Sequence, residues 1–247
     1  MADILAFTVT ADDPDGVRGV TTALARTLHL NMEQRGLPAE ADDVSAAVLL
    51  ALEDPNVRLA VLPYSPGHAA RLVSEVIRHC PKPVVLVPVG RGTMTPELIS
   101  RILVPLDGTV ESAETVAATV ALFAASGADI VVLHVFDQTT VPKFWDQSAH
   151  ARKSWDEEFL ARYCKQPDAR LELRTGSPGQ SILDVAATEH ADLIALGWAQ
   201  NLSTGRARTV RTTLARARTP ILLLPVASAE VENEQVFRST TETEKTR

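Results

Sequence analysis

The sequence predicts an α/β protein in which a parallel sheet is covered by helices on both faces. Short aliphatic runs alternate with amphipathic segments of helical length through most of the 247 residues, and this alternation is typical of parallel sheets. Runs such as ILVPLD at 102–107 are apolar up to the final Asp107, which indicates strands buried on both faces. Aromatic residues make up only 4% of the chain, so Ala, Val and Leu must supply most of the core.

The second half, residues 101–228, carries the complete pattern of five strands and four helices. We expect strands at 102–107, 129–136, 171–176, 192–197 and 220–226. Helices are predicted at 112–126, at 151–165, from Pro178 onward and at 208–217, and proline suits the first turn of the third. A polar loop at 137–149 and a disordered polar tail at 229–247 complete this half.

The first half, residues 1–90, repeats the pattern with its middle removed. Strands are predicted at 4–9, 58–64 and 83–89, and helices at 16–34, 41–52 and 68–80. Residues 71–89 match residues 208–226 at six of nineteen positions with a constant offset of 137, and such repeats define an architecture. We therefore predict a shortened copy of about three strands, without counterparts of strands two and three, followed by a linker at 91–100.

Composition and motifs exclude several functional classes. A net charge of −7 and a pI near 5.4 argue against a nucleic-acid binder, and no apolar run reaches membrane-spanning length. Without a secretory leader and with only Cys80 and Cys164, the chain is expected to be cytoplasmic with reduced thiols. The sequence has no HExxH pair, Walker lysine or GxSxG elbow, so we expect no bound metal and no enzymatic activity.

Four strings in the second half resemble the universal stress protein family. They are ILVPLDGT at 102–109, GADIVVLHV at 127–135, GSPGQSILDVAATEHADLIALG at 176–197 and TPILLLPV at 219–226. In the first half, only SEVIRHCPKPVVLVPV at 74–89 is similar. The resemblance implies a flavodoxin-like (Rossmann-like) sheet of order 3-2-1-4-5 in the second domain and a truncated copy in the first. It also implies dimerisation through the last strand, a role in stress response and an adenine nucleotide such as ATP as the ligand.

The family's nucleotide site can be transferred to this chain only in part. Its nucleoside-binding Asp after strand one matches Asp107, which follows Pro105 and Leu106, and its first phosphate-binding glycine matches Gly197. Gln200 occupies the place of the second glycine, and Ala207-Arg208 occupies the place of the final Gly-Ser. We therefore expect weakened or lost ATP binding, with nearby residues as an altered cradle: Ser203, Thr204, Gly205, Arg206 and Arg208. Guanidinium groups would supply charge that pairs with phosphate.

Three functions remain open from the sequence. The first is a non-enzymatic stress regulator that acts through dimerisation and a protein partner. The second is a nucleotide-responsive regulator, and the third is a nucleotide hydrolase. In the first half, Val9 and Pro63 replace the Asp and the first Gly, so that half is predicted to serve packing or dimerisation. Because 83–89 and 220–226 would otherwise be bare sheet edges, we expect a homodimer or a pseudo-dimer through these last strands.

Overall fold

The fold is described from a computed structural model, which covers residues 2–9, 14–37, 44–65, 68–90, 95–136, 141, 149–198 and 206–226. The strands are β1 (Ile4–Val9), β2 (Met32–Leu37), β3 (Leu59–Tyr64), β4 (Val84–Pro88), β5 (Arg101–Pro105), β6 (Asp129–Phe136), β7 (Arg170–Thr175), β8 (Leu193–Trp198) and β9 (Ile221–Pro225). The helices are α1 (Pro14–Leu28), α2 (Val44–Ala51), α3 (His68–His79), α4 (Val110–Ala125), α5 (Ala149–Tyr163), α6 (Pro178–Thr188) and α7 (Arg206–Arg216). The predicted α/β class is confirmed. Most of the predicted 137–149 loop and the predicted tail lie outside the described residues.

All nine strands form one sheet in the order β2-β1-β3-β4-β9-β8-β5-β6-β7. Within the second half, every neighbouring pair is parallel. Numbered within that half, the order is 3-2-1-4-5, as the sequence resemblance implied. The second half is therefore the complete flavodoxin-like unit that was predicted.

The first half contains one strand more than the sequence predicted. Residues 32–37 form β2, which pairs with β1 in parallel from Ile4–Met32 to Val9–Leu37. The prediction that strand two has no counterpart is therefore wrong. The helix predicted over 16–34 is wrong only in its last turns, because α1 ends at Leu28. The first half has the order β2-β1-β3-β4, so among its described residues only the counterpart of strand three is missing.

Helix α1 ends early because the chain turns at His29. His29 has a φ of +53°, and the amide of Leu30 donates to the carbonyl of Ala25 at 3.0 Å. This 6→1 bond with a left-handed residue is a Schellman cap. Sequence reasoning missed it because histidine replaces the usual glycine and because Met32-Glu33-Gln34 are residues that also suit a helix.

The two halves join where β4 and β9 run antiparallel in the middle of the sheet. Val84 pairs with Leu223, Val85 with Leu222, and Leu86 with Ile221. Under the repeat offset of 137, Val85 and Leu222 are equivalent positions that face each other. The register therefore has a pseudo-two-fold axis, as in an isologous interface between two subunits, but here it lies within one chain.

Two apolar cores cover the two faces of the sheet. One face packs side chains of α2, α3, α6 and α7 against the strands. The other packs α1, α4 and α5. Each core contains residues from both halves, so the halves share their hydrophobic stabilisation as well as their sheet.

Polar bonds hold the junction that precedes β5. The hydroxyl of Thr27 accepts from the amide of Ile99 at 2.8 Å, across 72 positions of sequence. Asp192 accepts from the amides of Ser100 and Arg101 at 2.8 and 3.0 Å. The end of the predicted linker is thus attached to α1 and to the start of β8.

Candidate functional site

A cavity of about 220 Å³ opens at the carboxyl ends of β5, β6 and β8. Its walls are mainly aliphatic, and the polar groups lie where the strands give way to helices. The described lining residues are Pro105, Leu106, Asp107, Glu111, Ser112, Leu133, Val135, Pro178, Ile182, Leu196, Gly197, Trp198, Thr209, Val210 and Val226.

The topology of the sheet creates this cleft. Strands β5 and β8 are neighbours, yet α4 leaves β5 toward one face and α7 leaves β8 toward the other. In open α/β sheets, such a switch point leaves a crevice beyond the strand ends, and ligands bind there. The sequence placed its candidate residues at the ends of these same two strands.

Asp107 lies at the mouth of the cleft, two residues beyond the end of β5. Its Oδ1 accepts from the amide of Thr109 at 3.0 Å and from the Thr109 hydroxyl at 2.6 Å. Thr109 in turn is the N-cap of α4 and accepts from the amide of Ser112 at 3.3 Å. Gly108 makes the turn with a φ of +81°. Asp107 therefore has a local role in starting α4, while its exposed carboxylate also borders the cavity.

Gly197 contributes bare backbone to the cavity floor. A Cβ at this position would lie 3.7 Å from Cγ2 of Thr115, which is ordinary van der Waals contact. A small side chain could therefore be accommodated by the fold. The absence of a side chain at Gly197 matters for access of a ligand to the backbone more than for packing.

Acidic groups line the described part of this cavity. Asp107 and Glu111 are its ionisable residues among those described, and both are exposed at the mouth. Arg208 is exposed on α7 and is not among the lining residues described. Ser203, Thr204 and Gly205 lie outside the described residues, as does the side chain of Arg206, although α7 begins at Arg206. The predicted phosphate cradle therefore stays a prediction.

Trp198 is a site residue that the sequence reasoning missed. It is 3% exposed, lines the cavity, and donates from Nε1 to the carbonyl of Ile77 in α3 at 3.0 Å. Residue 81, which would supply the helical donor to that carbonyl, is proline and has no N–H. Two features of the sequence could have drawn attention to it. A tryptophan directly follows Gly197, and the CPKP string places a proline at the end of the repeated helix of the first half.

His134 lies behind the cleft as a half-buried core residue. Its Nδ1 lies 2.9 Å from the carbonyl oxygen of Leu106, and its ring packs against Phe136, Trp155 and Phe159. Burial lowers the pKa of His134 below its ordinary value, against the opposing effects of that hydrogen bond and of Asp107. The neutral ring therefore supports the backbone just before Asp107.

The strand register identifies the first-half equivalents of the cleft residues. Because Ile4 pairs with Leu59 as Ile102 pairs with Leu193, Val9 is the equivalent of Asp107. In the same way, β3 pairs with β4 in the register in which β8 pairs with β9, so Pro63 is the equivalent of Gly197. The first half thus lacks both cleft residues in sequence, while its strands follow the same register.

Across the described residues, no group of three or more His, Cys, Asp or Glu side chains could hold a metal ion. A search of the described helices for a segment long and apolar enough to cross a membrane found none. The cleft therefore has to be understood from its apolar walls, its two carboxylates and its backbone.

Fold and cleft together define an α/β protein with a cavity at the switch point of a flavodoxin-like unit. Residues 99–225 match the sequence model of the Universal stress protein family, which is more than half of the chain. The chain belongs to the universal stress protein family. The family resemblance drawn from the sequence is thereby confirmed.

Solved structures show the same fold over nearly the whole chain. A universal stress protein from Archaeoglobus fulgidus DSM 4304 aligns with a TM-score of 0.62 at 12% identity, covering 90% of this chain and 96% of that one. A putative universal stress protein from Pseudomonas aeruginosa UCBPP-PA14 aligns with a TM-score of 0.58 at 14% identity, covering 91% and 93%. A functionally unknown protein from Pseudomonas aeruginosa PAO1 aligns with a TM-score of 0.56 at 15% identity, covering 90% and 81%. A search of curated proteins found no match.

Proposed function

We propose that this protein is a non-enzymatic regulator of a stress response whose second-half cleft binds an adenine nucleotide weakly. The observation that carries the proposal is the cavity at the β5–β8 switch point, bordered by Asp107 and Gly197. We further propose that the regulator acts through contact with a protein partner, the role that membership of the family implies.

The size of the cavity favours the nucleoside part of the ligand. Pockets for drug-sized ligands usually enclose about 300–1,000 Å³, and the described cavity encloses about 220 Å³. A base and part of its sugar fit such a volume against the aliphatic walls. The phosphates of ATP would have to extend beyond it, toward the start of α7.

The charges of the cavity mouth favour the same orientation. The carboxylates of Asp107 and Glu111 can accept hydrogen bonds from ribose hydroxyls, but they repel phosphate. Arginines at positions 206 and 208 open α7, where a helix N-terminus also favours anions. Each charge-assisted hydrogen bond contributes about 1.5–3 kcal/mol. In the family, glycines stand at the positions of Gln200 and Ala207 and expose backbone N–H groups to the phosphates. The arginine charges replace only part of that binding energy, so ATP binding should be weak.

The lining argues against hydrolysis as the function. Catalysis of phosphoryl transfer needs positioned cations and a group that orients the attacking water. The ionisable side chains of the described lining are two carboxylates, and Oδ1 of Asp107 already accepts two bonds from Thr109. We therefore propose that bound nucleotide is sensed and not consumed.

The central sheet supports a pseudo-dimer within one chain as the functional unit. The β4–β9 pairing occupies both last-strand edges, so a second copy has no free edge there. The outer strands each carry a charged pair, Glu33–Arg35 in β2 and Glu172–Arg174 in β7. Charged side chains on edge strands oppose further strand pairing. Light scattering over a range of concentrations should find one chain per particle.

Titration calorimetry with ATP and with adenosine tests the ligand proposal. We expect both to bind weakly, ATP more weakly at high salt, and Arg206→Ala to weaken ATP without changing adenosine binding. Gly197→Val should reduce the binding of both, whereas Val9→Ala at the equivalent first-half position should change neither. Tight, salt-independent ATP binding would contradict the proposed cradle.

Two further measurements separate the alternatives. Mass spectrometry of the denatured, purified protein identifies any nucleotide that it carries. Incubation with ATP, followed by chromatography, should show no ADP above the buffer control. Absence of binding at millimolar ATP and adenosine would remove the nucleotide from the proposal and leave a regulator that acts through its partner alone.

A further inference from the structure

A second cavity lies on the opposite face of β5 from the cleft. It also encloses about 220 Å³ and is bounded by the inner side of α4 and by the chain at the end of α5. Its floor consists of Val104 and Leu106, and Val116 and Val120 of α4 form one wall. All four side chains are buried, at 4% exposure or less. The interior is therefore aliphatic, and no residue of the proposed nucleotide site other than Leu106 reaches it.

The volume is large enough for a bound molecule. An apolar cavity of about 150 Å³ engineered in another protein stays dry and binds benzene. This one is larger, and its mouth is open at Val110, which is 51% exposed on the first turn of α4. Each CH₂ group of a flexible hydrocarbon chain that is buried in an apolar cavity adds to its binding, so a short aliphatic tail would be bound well here.

The rim carries more positive than negative charge. Arg162 and Lys165 border the mouth from the end of α5, with Glu114 of α4 opposite and Gln166 as a neutral donor. The guanidinium carbon of Arg162 lies 5.4 Å from the centre of the Tyr163 ring, which limits where the charge can move. Two cations and one amide beside an aliphatic cavity match a ligand with an anionic head and an apolar tail.

We propose that this cavity is a binding site for a medium-chain carboxylate, with the hydrocarbon tail between β5 and α4 and the carboxylate at Arg162 and Lys165. The site does not depend on the proposed nucleotide function. It adjoins the cleft through Leu106, which lines both cavities.

Titration of the 247-residue chain with sodium octanoate tests the site, with octanol and butyrate as comparison probes. Octanoate should bind at least tenfold more tightly than butyrate, because the longer tail fills the cavity. Ala117→Phe, at the mouth of the cavity, should weaken octanoate at least tenfold. The matched change Ala118→Phe, on the exposed side of α4 and outside the lining, should leave binding unchanged.

The head group is tested at the rim. Arg162→Gln combined with Lys165→Gln should weaken octanoate several-fold and leave octanol unaffected, while Lys153→Gln on an earlier turn of α5 should change neither. Methyl NMR should place the largest octanoate shifts on Val116 and Val120, not on Val210 in the cleft. No octanoate binding, equal binding by Ala117→Phe and Ala118→Phe, or shifts centred on Val210 would each overturn the proposal.

Discussion

Trp198→Phe should destabilise the protein because it removes one of the hydrogen bonds that connect the two halves. The indole of Trp198 is the donor to the carbonyl of Ile77, at 3.0 Å in a buried environment. The helical bonds of α3 continue as far as Cys80, whose amide donates to Val76 at 2.8 Å. The next donor would be residue 81, a proline. Phenylalanine at 198 would therefore leave a buried carbonyl without a partner.

The cost can be estimated from these contacts. An unsatisfied buried acceptor costs about 1–3 kcal/mol, and the smaller ring loses about 1 kcal/mol of apolar burial. We expect the free energy of unfolding to fall by about 2–4 kcal/mol. Urea denaturation followed by circular dichroism measures it, and the m-value should stay unchanged.

Pro81→Ala provides the control, because it returns an amide donor to position 81. Alone, this substitution should lower the free energy of unfolding by about 0.4–1 kcal/mol, because the unfolded chain gains conformational entropy. In the Pro81→Ala background, Trp198→Phe should cost about 1 kcal/mol less than in the otherwise unaltered protein, since Ile77 gains an alternative partner. An equal cost in both backgrounds, or a loss below about 0.5 kcal/mol for Trp198→Phe alone, would refute the reasoning.

Three further predictions concern the surroundings of the cleft. Gly108→Ala and Gly127→Ala both place a Cβ at a positive φ, of +81° and +85°, and this strain lowers the free energy of unfolding by about 1–2 kcal/mol in each variant. In urea titrations Gly108→Ala should be the more destabilising of the two. Its Cβ would lie 3.4 Å from the His134 ring, whereas a Cβ at Gly127 has no neighbouring atom within 4 Å. Burial lowers the pKa of His134, so the unfolded chain takes up the proton at a higher pH than the folded one, and the free energy of unfolding should fall as the pH drops below about 6.5. His134→Gln should make the urea midpoint less dependent on pH in this range. An unchanged pH dependence in the variant would contradict the prediction. Burial raises the pKa of Asp156, whose Oδ1 has no hydrogen-bond partner among the described residues, so its charged form destabilises the fold above the ordinary carboxyl range. Asp156→Asn should therefore raise the melting temperature at neutral pH and lose that advantage in acid.

The sequence predicted the elements that are long and regularly patterned. The eight residues of β6 were located at both ends, because DIVVLHVF lies between Gly127-Ala128 and a polar segment. The repeat at offset 137 makes Val85 and Leu222 equivalent positions, and the β4–β9 register is symmetric about this pair. These features depend on local hydrophobic pattern, which one sequence contains in full.

The missed features depend on side chains that act outside the usual pattern. β2 reads as MEQRGL, an edge strand with largely exposed polar side chains, so it lacks the aliphatic signal of its neighbours. Asp107 and Gly197 were chosen as candidates because the resemblance to the universal stress protein family matches its site residues to these positions. Trp198 and the CPKP string are both visible in the sequence, but the bond from Trp198 to Ile77 joins residues 121 positions apart, so neither feature identifies the other as its partner.

The in-chain pairing of β4 with β9 changes how the assembly responds to dilution. Two separate subunits joined by one strand pair with three residue pairs would be in equilibrium with free monomers, and their stability would depend on protein concentration. A covalent connection sets a constant effective concentration of one half for the other. It also removes the requirement that both halves be identical. Val9 and Pro63 can therefore differ from Asp107 and Gly197, so the residues that border the cleft of the second half need not be repeated in the first.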